Sequence, residues 1–481
     1  MRKTMNVLFV IVFIGLCFAP FLGQIFGYRN VNSEKRELAA LPSFMTKDGI
    51  NPKYTNELDD YFTENFAFRT DLITLQAFLY QGVFQQSVSD RVIIGQDGWL
   101  FFEPTVNDYT KDNVLSDNEI YRMYRTLSIQ QTYLEGLDID CVFMVAPNKS
   151  SIYGKYMPDR YLQVEDKNNG EKLYSVCDEN GFVYLDLFTL LRGNDTQLYH
   201  KLDTHWNNYG AMMVYNALLT NLQGRIPGFV YDTHQDLVPT IEQTWSGDLS
   251  GMLYPTANLL DTQYVYPIAK EYVSDRPIRS MEDLTIHTTC ETGSGHILMF
   301  RDSFANALIP LLSNEFADVT YARATPYDFS QIDNDTDAVI LEIAERNLPN
   351  LIKEAPRLPS YQVQLDASLT PVDIASSLIV EEESNSIRIN GFAIPSGYRK
   401  DTNYDIYIRL QSGDKEYTFV TFPIMEDGYF PDDTDKANAA FSLMIQKDSL
   451  PAGQYSIQTI MYDQAGYMIS QNENADVITI Q

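Results

Sequence analysis

The chain has 481 residues, of which 44% are hydrophobic and 13% aromatic, a composition typical of globular proteins and not of disordered or fibrous ones. Its length suffices for two domains, each with its own core. The 65 acidic residues outnumber the 35 basic ones and give a formal charge of −30. Because the sequence has no local basic patch, this charge excludes nucleic acid as a partner.

The N-terminal segment predicts a membrane helix. Residues 5–27 contain no charged side chain and are long enough to cross about 30 Å of hydrocarbon. No small-x-small cleavage site follows Phe18, so an uncleaved anchor over residues 1–28 is favoured over a cleaved signal peptide. Basic residues flank the segment on both sides, so charge alone leaves its orientation open.

Apolar runs alternate with helical patterns in the next part of the chain. Ser116 and Glu119 have capping-box spacing at the start of an amphipathic helix, and residues 141–147 are typical of a strand buried on both faces. Similar apolar runs recur at residues 181–188, 296–300, 318–323 and 337–345, with helical patterns at residues 209–222 and 305–316. This alternation predicts an α/β domain with a mainly parallel sheet over residues 29–360.

The pattern changes after residue 351, where three prolines indicate a connection to another domain. Short alternating segments follow at residues 386–394, 404–411, 416–422, 440–446 and 454–463. Turn-forming sequences separate them at residues 412–415, 426–433 and 450–453. The spacing predicts an antiparallel β-sandwich over residues 365–481, an accessory domain that binds glycan or acts as a structural cap. Without it, the first domain is expected to remain folded.

Two of the five histidines lie in the short stretch YHKLDTHWNNYGA, residues 199–211. In an extended segment, residues two apart project to one face, so Asp203 and His205 can stand side by side. The carboxylate can accept the Nδ1 proton, fix the tautomer and stabilise the imidazolium. A helix that begins near Asn207 places its positive end close to His205 and favours a neutral imidazole.

A candidate nucleophile follows in the stretch GHILMFRDSFANALIPLL, which reads as a strand, a polar turn and a helix. Ser303 lies at the turn, where its side chain can project from the sheet edge and its N–H can face a developing oxyanion. Functional groups of α/β sheets gather at the carboxyl ends of the strands. We therefore expect Ser303 near Asp203 and His205.

Each of these residues also has a purely structural interpretation, as a turn residue, an interior histidine or a helix N-cap. A zinc site made of His200, Asp203 and His205 is a further alternative, since imidazole and carboxylate suit zinc. No other cysteine or histidine stands nearby at metal-site spacing, so no metal is predicted.

The stretch LDTHWNNYGA closely resembles the signature of the DHHW proteins. Together with MFRDSFANAL, it resembles the SGNH hydrolase-like domain of the alginate O-acetyltransferase family. The resemblance covers about residues 30–350 and includes the segments NSEKRELAALPSF, YFTENFAFR, IIGQDGWLFF, APNKSSIY and SGDLSGML. It implies an SGNH-hydrolase-like, flavodoxin-like parallel sheet with permuted catalytic order, because the D-x-H pair here precedes the serine.

The resemblance implies a triad with Ser303 as nucleophile, His205 as general base and Asp203 as its orienting partner. Arg301 stands where many relatives have a glycine, so the acyl pocket is expected to differ. Weaker predictions assign substrate or oxyanion contacts to four residues: Lys149, Arg301, Trp206 and Asn207. Packing beneath the triad is the alternative for Trp206 and solvation the alternative for Lys149. The tryptophans of DGWLFF and QTWSGD are expected in the core.

The activity implied by the resemblance is acetyl transfer, through a serine ester, onto hydroxyls of an exopolysaccharide or cell-envelope glycan. Relatives receive acetyl from a membrane-bound O-acyltransferase that draws on acetyl-CoA, so no bound cofactor is expected. This implies a single-pass anchor in the cell membrane with both domains extracellular. Two alternatives stay open: a carbohydrate acetyl esterase with the same triad, and a non-catalytic glycan-binding scaffold of a secretion complex.

Overall fold

The computed structural model describes residues 2–28, 30, 38–47, 49–226, 228–231, 234–323, 325–365, 368–399, 402–425, 439–463, 465–470 and 477–480. The helices within these residues are α1 (Arg2–Ile25), α2 (Tyr54–Asn65), α3 (Arg69–Phe84), α4 (Val106–Thr110), α5 (Asp117–Glu135), α6 (Lys149–Tyr153), α7 (Asn169–Glu179), α8 (Leu187–Leu191), α9 (Asn208–Leu222), α10 (Asp248–Leu253) and α11 (Ile309–Glu315).

The strands of the first part of the chain are β1 (Met45–Thr46), β2 (Gly49–Ile50), β3 (Val92–Ile94), β4 (Leu100–Phe102), β5 (Asp140–Ala146), β6 (Tyr184–Leu185), β7 (Thr240–Ser246), β8 (Leu260–Val265), β9 (Val273–Ser274), β10 (Thr285–Thr289), β11 (His296–Phe300), β12 (Asp318–Ala322) and β13 (Ala338–Ala344). Those that follow are β14 (Gln362–Val363), β15 (Leu369–Val372), β16 (Ile374–Glu382), β17 (Ser386–Pro395), β18 (Asp405–Ser412), β19 (Lys415–Val420), β20 (Phe422–Pro423), β21 (Ala440–Gln446), β22 (Gly453–Asp463), β23 (Gly466–Ser470) and β24 (Val477–Ile480).

A seven-stranded central sheet has the order β6-β5-β13-β11-β12-β10-β9. The first five strands run parallel, and β10 and β9 add an antiparallel edge. The prediction of a mainly parallel sheet is therefore confirmed. Every residue of β13 is buried, as the continuous apolar run predicts for a strand covered on both faces.

Helices cover both faces of this sheet. Helices α9 and α11 share one apolar core with β5, β11 and β13, whereas α5 and α7 share the core on the opposite face. The capping box predicted at Ser116 and Glu119 begins α5, with both reciprocal hydrogen bonds present.

Two predicted elements differ from those observed. The strand expected at residues 181–188 is reduced to β6, because Asp186 caps α8 by accepting a hydrogen bond from the Thr189 N–H. The helix expected at residues 305–316 is divided into a 3₁₀ turn, Phe304–Ala307, and α11, in which Pro310 occupies the first turn.

The C-terminal strands form two packed sheets. One has the order β14-β19-β18-β22-β23-β15, with β24 also paired to β22, and the other has the order β16-β17-β21-β20. Ile389 and Leu443 of one sheet share a buried cluster with Leu410 and Ile457 of the other. The predicted β-sandwich is present, with one departure from antiparallel pairing, since β15 runs parallel to β23. The turn predicted at residues 426–433 lies outside the described residues.

Within the described residues, one helix is long and apolar enough to cross a membrane: residues 5–25 of α1. Its side chains are largely exposed, as expected for a helix whose surroundings are lipid.

Candidate active site

The carboxyl ends of β5, β13 and β11 meet at one edge of the central sheet, so the residues that follow them lie close together. Ser303 follows β11, Glu345 follows β13 and Asn148 follows β5. The loop that carries the D-x-H pair reaches the same edge. A bridge between Tyr199 and Trp206 closes this loop, with hydrogen bonds from His200 N to His205 O and from Asn207 N to Leu198 O.

Asp203, His205 and Ser303 form a continuous chain of hydrogen bonds. His205 Nδ1 lies 2.8 Å from Asp203 Oδ1, and His205 Nε2 lies 2.9 Å from Ser303 Oγ. An ionised Asp203 accepts the Nδ1 proton, which leaves Nε2 as the acceptor for the serine hydroxyl. The structure thus brings Ser303, from one sequence segment, together with Asp203 and His205 from another.

Asp203 is held as a carboxylate by four N–H donors. Oδ1 accepts from the His205 backbone N–H and ring, while Oδ2 accepts from Trp245 Nε1 at 3.1 Å and Asp248 N at 3.0 Å. Burial would raise the pKa of Asp203, but the hydrogen bonds and charge of His205, with the bond from Asp248 N, hold this pKa well below its usual value.

Asp248 is a second carboxylate beside the same imidazole, and sequence reasoning gave it no role. Its Oδ2 lies 4.0 Å from His205 Nδ1, and its Oδ1 accepts a hydrogen bond from Thr204 N. Burial and the neighbouring charge of Asp203 raise the pKa of Asp248. The signal was present, because Asp248 lies in the segment SGDLSGML of the family resemblance.

The position of Trp245 differs from the one expected from the sequence. It was expected in the core, yet it is 38% exposed and donates to Asp203. Its ring stacks on His200 at 4.8 Å, and burial lowers the pKa of His200 to about 4. The expectation that Trp99 is buried is confirmed.

The potential metal ligands in the structure differ from the zinc ligands His200, Asp203 and His205 considered from the sequence. Within the described part of the chain, Asp203, His205 and Asp248 have ligand atoms within 4.8 Å of one another, and His200 is not in this group. Both oxygens of Asp203 already accept two N–H donors each, which uses the four lone-pair directions of a carboxylate. The hydrogen-bonded arrangement therefore competes directly with cation binding.

The turn that carries Ser303 is fixed by its neighbour Asp302. Asp302 Oδ1 accepts from Phe304 N, and Oδ2 accepts from Ala344 N and Asn347 Nδ2 of the adjoining strand end. Asp302 N donates to the buried carboxyl of Glu342. Burial raises the pKa of this carboxyl well above its usual value. These bonds hold the serine at the end of β11. Within the described residues, the Ser303 N–H makes no hydrogen bond.

Lys149 is placed differently from a substrate-binding or solvated lysine. Its side chain is buried, and Nζ donates to the backbone carbonyls of His200, Lys201 and Asp203 at 2.6 to 3.1 Å. Burial lowers its pKa to about 8, against the opposing charge of Asp203. Its three N–H donors are thus used to hold the loop that presents Asp203.

The other three weaker predictions also fall on structural positions. Arg301 is buried and donates to Asp302 O, Asn306 Oδ1 and Asp283 O. Trp206 is buried edge-on against Phe304, so the packing alternative is the correct one. Asn207 is the N-cap of α9, and its side chain bonds to Tyr209 N, Gly210 N and Gln197 O. Within the described residues, Arg301 Nε and Trp206 Nε1 are buried and have no hydrogen-bond partner.

A positive group near the site comes from Arg346. Its guanidinium lies over the Phe304 ring at 5.4 Å, and that ring contacts the His205 ring at 4.9 Å. Within the described residues, the buried Nη1 of Arg346 has no hydrogen-bond partner. The charge of Asp108 partly balances this cation. Burial nevertheless raises the pKa of Asp108 to about 6. Periodicity does not distinguish Arg346 from an ordinary surface arginine.

Comparison with known proteins finds a family that part of this chain resembles. Residues 92–289 match the family described as SGNH hydrolase-like domain, acetyltransferase AlgX. This part of the chain is similar to SGNH hydrolase-like domains. The match includes Asp203, His205 and Asp248 and ends before Ser303, which lies 2.9 Å from the matched His205.

One curated relative is the probable alginate O-acetylase AlgJ of Azotobacter vinelandii, 24% identical over 250 residues. The alignment covers 48% of this chain and 58% of the length of that relative. The resemblance to the alginate O-acetyltransferase family is confirmed by this relative and by the family match.

Solved structures of similar proteins include PatB1 of Bacillus cereus, with 17% identity and a TM-score of 0.42 over 52% of this chain and 95% of that one. A DHHW family protein from Eubacterium siraeum DSM 15702 has 14% identity and a TM-score of 0.38 over 53% of this chain and 94% of that one.

Proposed function

We propose that this protein is an O-acetyltransferase that carries an acetyl group on Ser303 and passes it to hydroxyls of an exopolysaccharide or cell-envelope glycan. The observation that carries the proposal is the chain of hydrogen bonds from Asp203 through His205 to Ser303. The AlgX family match and the relative named as a probable alginate O-acetylase support the choice of acetyl as the group and polysaccharide as the acceptor.

In the first half-reaction, Ser303 Oγ attacks the carbonyl carbon of an acetyl donor while His205 Nε2 takes the hydroxyl proton. Asp203 stabilises the imidazolium that results. On this proposal, the Ser303 N–H, which has no partner within the described residues, donates to the oxyanion. Collapse of the tetrahedral intermediate expels the donor's leaving group, which takes the proton from His205.

In the second half-reaction, a sugar hydroxyl replaces the leaving group. His205 Nε2 removes the hydroxyl proton, the sugar oxygen attacks the acetyl carbonyl, and the ester bond to Ser303 breaks as its Oγ regains a proton. Water is the competing acceptor, and hydrolysis of the acetyl-serine would give esterase activity.

The apolar helix α1 supports a location at the membrane. On this proposal, both domains lie on the extracytoplasmic side. There, the acetyl donor would be supplied through a membrane-bound O-acyltransferase that draws on acetyl-CoA. On this proposal, the chain itself needs no bound cofactor, because the transferred group is covalently attached to Ser303.

Intact-protein mass spectrometry tests the proposal directly. The full chain in detergent is incubated with an activated acetyl ester and then with candidate oligosaccharides. We expect one acetyl adduct on Ser303 that passes to sugar. The Ser303→Ala variant should form none, while exposed Ser330 supplies the matched control Ser330→Ala. The unfolding free energy of Ser303→Ala should differ from that of the wild type by less than about 0.5 kcal/mol, because the hydroxyl makes one hydrogen bond within the described residues, to His205.

Two results would contradict the transferase proposal. Loss of the adduct to water alone, with every acceptor tested, would indicate an esterase. An adduct that persists in Ser303→Ala would show that another group is the nucleophile.

A further inference from the structure

Helix α3 exposes an apolar face to the surroundings of the protein. The exposed apolar side chains, called the α3 face below, are Leu72, Leu75, Phe78, Leu79, Tyr80, Val83 and Phe84, each at least 40% exposed. Residues 72–89 contain no charged side chain, although 21% of the chain is charged. An uncharged and apolar surface on so acidic a protein is typical of a contact with lipid or another apolar surface.

The other side of α3 is packed firmly on the domain. Thr74 and Ala77 are buried there, and Thr74 Oγ1 accepts hydrogen bonds from Thr256. Ala77 belongs to the same buried cluster as Leu249 and Leu253 of α10. The α3 face is therefore a fixed surface of the domain and not one side of a detached helix.

The end of α1 is joined to the start of α3. Gly23 packs so closely on Ala67 and Phe68 that a Cβ at this position would lie 2.6 Å from the Phe68 ring. The Tyr28 hydroxyl donates to Asp71 Oδ2 at 2.6 Å, and the Tyr28 ring lies 4.2 Å from that of Phe68. The α3 face thus begins where the membrane-length helix ends.

We propose that the α3 face lies in the membrane interface, with its apolar side chains inserted at the boundary between lipid headgroups and acyl chains. Lipid is favoured as the occupant because the face is continuous with the end of α1, which itself needs lipid around it. Tyrosine and phenylalanine on this face suit the interfacial region. The inference rests on the membrane anchor of the proposed function and on no step of its chemistry.

Helix α10 connects the α3 face to the active site. The helix begins at Asp248, whose N–H donates to Asp203 Oδ2, and it packs on α3 through Leu249 and Leu253. An α3 bound to the interface would therefore fix both the height and the orientation of the site relative to the membrane. Such a site suits an acetyl donor presented at the lipid surface.

Spin-label accessibility tests the proposal on the full chain in phosphatidylcholine vesicles. Cys17→Ser first removes the exposed cysteine, since the other three cysteines are buried. Labels are then attached to Leu79→Cys, to Val83→Cys and to the control Val477→Cys, a 55%-exposed position in the sandwich. We expect oxygen to relax the α3 labels more than a water-soluble nickel complex does, with the reverse order at position 477.

Two outcomes would overturn the proposal. Labels on α3 that behave like the control would show that the face is in water. Labels that are shielded from both reagents would show that protein covers it, for example a second copy. Failure of Ser303 to accept acetyl would leave label accessibility unchanged, so the two proposals can fail separately.

A functional variant adds an independent readout. Leu79→Glu with Val83→Glu should lower glycan acetylation in vesicles at least tenfold. Acetylation of Ser303 by a soluble ester in detergent should stay unchanged, because the two side chains lie outside the site. Equal activity of the variant and the wild type in vesicles would contradict the proposal.

Discussion

Asp203 and Asp248 lie beside the same imidazole, but their surroundings shift the pKa values of the two carboxyl groups in opposite directions. Four N–H donors stabilise the charge of Asp203, whereas burial next to that charge raises the pKa of Asp248. The two carboxyl groups are therefore not equivalent partners of His205. Asp203 lies within hydrogen-bond distance of Nδ1, at 2.8 Å, whereas Asp248 lies 4.0 Å away. The four N–H donors of Asp203 stabilise the charged form that in turn stabilises an imidazolium.

Replacing each carboxyl by an amide separates these roles. Asp203→Asn should lower the rate of Ser303 acetylation by about 10²- to 10⁴-fold, because an amide neither carries the charge nor reliably fixes the Nδ1–H tautomer. Asp248→Asn should lower it less than about tenfold, since the amide oxygen can still accept from Thr204 N. The measurement is the single-turnover rate with an activated acetyl ester. Equal losses in the two variants would contradict this assignment.

Glu345 makes a pH-dependent contribution to stability. Burial and the charge of Asp108 raise its pKa to about 8, from an unfolded value of about 4.3. Between these two pKa values, the Glu345 carboxyl binds a proton in the folded state but not in the unfolded state. The stabilisation that Glu345 contributes is therefore fully present below about pH 4 and is lost as the pH rises through 8. Glu345 carboxyl oxygens accept from Asn148 N and Ser151 Oγ, which an amide oxygen can also do.

We therefore expect Glu345→Gln to flatten the decline in unfolding free energy between pH 5 and 9. At pH 9 the variant should be more stable than the wild type by about 1 to 3 kcal/mol. Urea unfolding at several pH values measures this difference, with the exposed Glu165→Gln as control. Parallel pH profiles of Glu345→Gln and the wild type would show that the carboxyl is already ionised in the folded protein.

At the scale of elements, the site depends on a loop that lacks regular secondary structure. A β-bridge between Tyr199 and Trp206 closes this loop. The ammonium group of Lys149 donates hydrogen bonds to three of its backbone carbonyls. Lys149→Met would leave three buried carbonyl oxygens without this donor. We expect a loss of about 2 to 4 kcal/mol in unfolding free energy and at least a 10²-fold fall in Ser303 acetylation.

Lys155→Met is the matched control, because Lys155 lies on the neighbouring 3₁₀ turn and is exposed. Chemical denaturation and the single-turnover assay are compared for both variants. If Lys149→Met lost neither stability nor activity, Lys149 would not be positioning the loop.

Local patterns predicted elements better than they predicted the surroundings of the site. The capping box of α5, the buried strand β5 and the D-x-H pair are each encoded within a few residues, and each is present as expected. The contacts of Trp245 with Asp203 and of Glu345 with Asn148 span 42 and 197 residues. No local period encodes such contacts. A local signal can also be overlooked. Asp186 is the N-cap of α8, which begins within the segment predicted as a strand.

At the scale of the whole molecule, the sandwich and the α/β domain share a core. Tyr407, Val420 and Phe422 of the sandwich belong to the same buried cluster as Met123 and Leu127 of α5. The sequence favoured two domains of which the first stays folded without the second. A shared apolar core argues against that independence, because removal of one partner exposes the other.

Buried charges strengthen this conclusion. Arg122 of α5 is 3% exposed and donates to the backbone carbonyls of Ile424 and Ala440, and burial lowers its pKa to about 10. Arg125 pairs with Asp405 at 3.1 Å, with both side chains largely buried. Loss of the sandwich would remove the two carbonyl acceptors of Arg122 and the carboxylate that pairs with Arg125.

We therefore expect a chain that ends at residue 361 to be insoluble or to lose cooperative unfolding, because α5 would present an apolar face to water. A point variant tests the same interface in the full chain. Phe422→Asp should lower the unfolding free energy by about 3 to 5 kcal/mol, since it buries a charge in the shared core. Val477→Asp, on an exposed position of the same sandwich, should change it by less than about 0.5 kcal/mol. A soluble truncated chain that accepts acetyl on Ser303 would show instead that the α/β domain is stable alone.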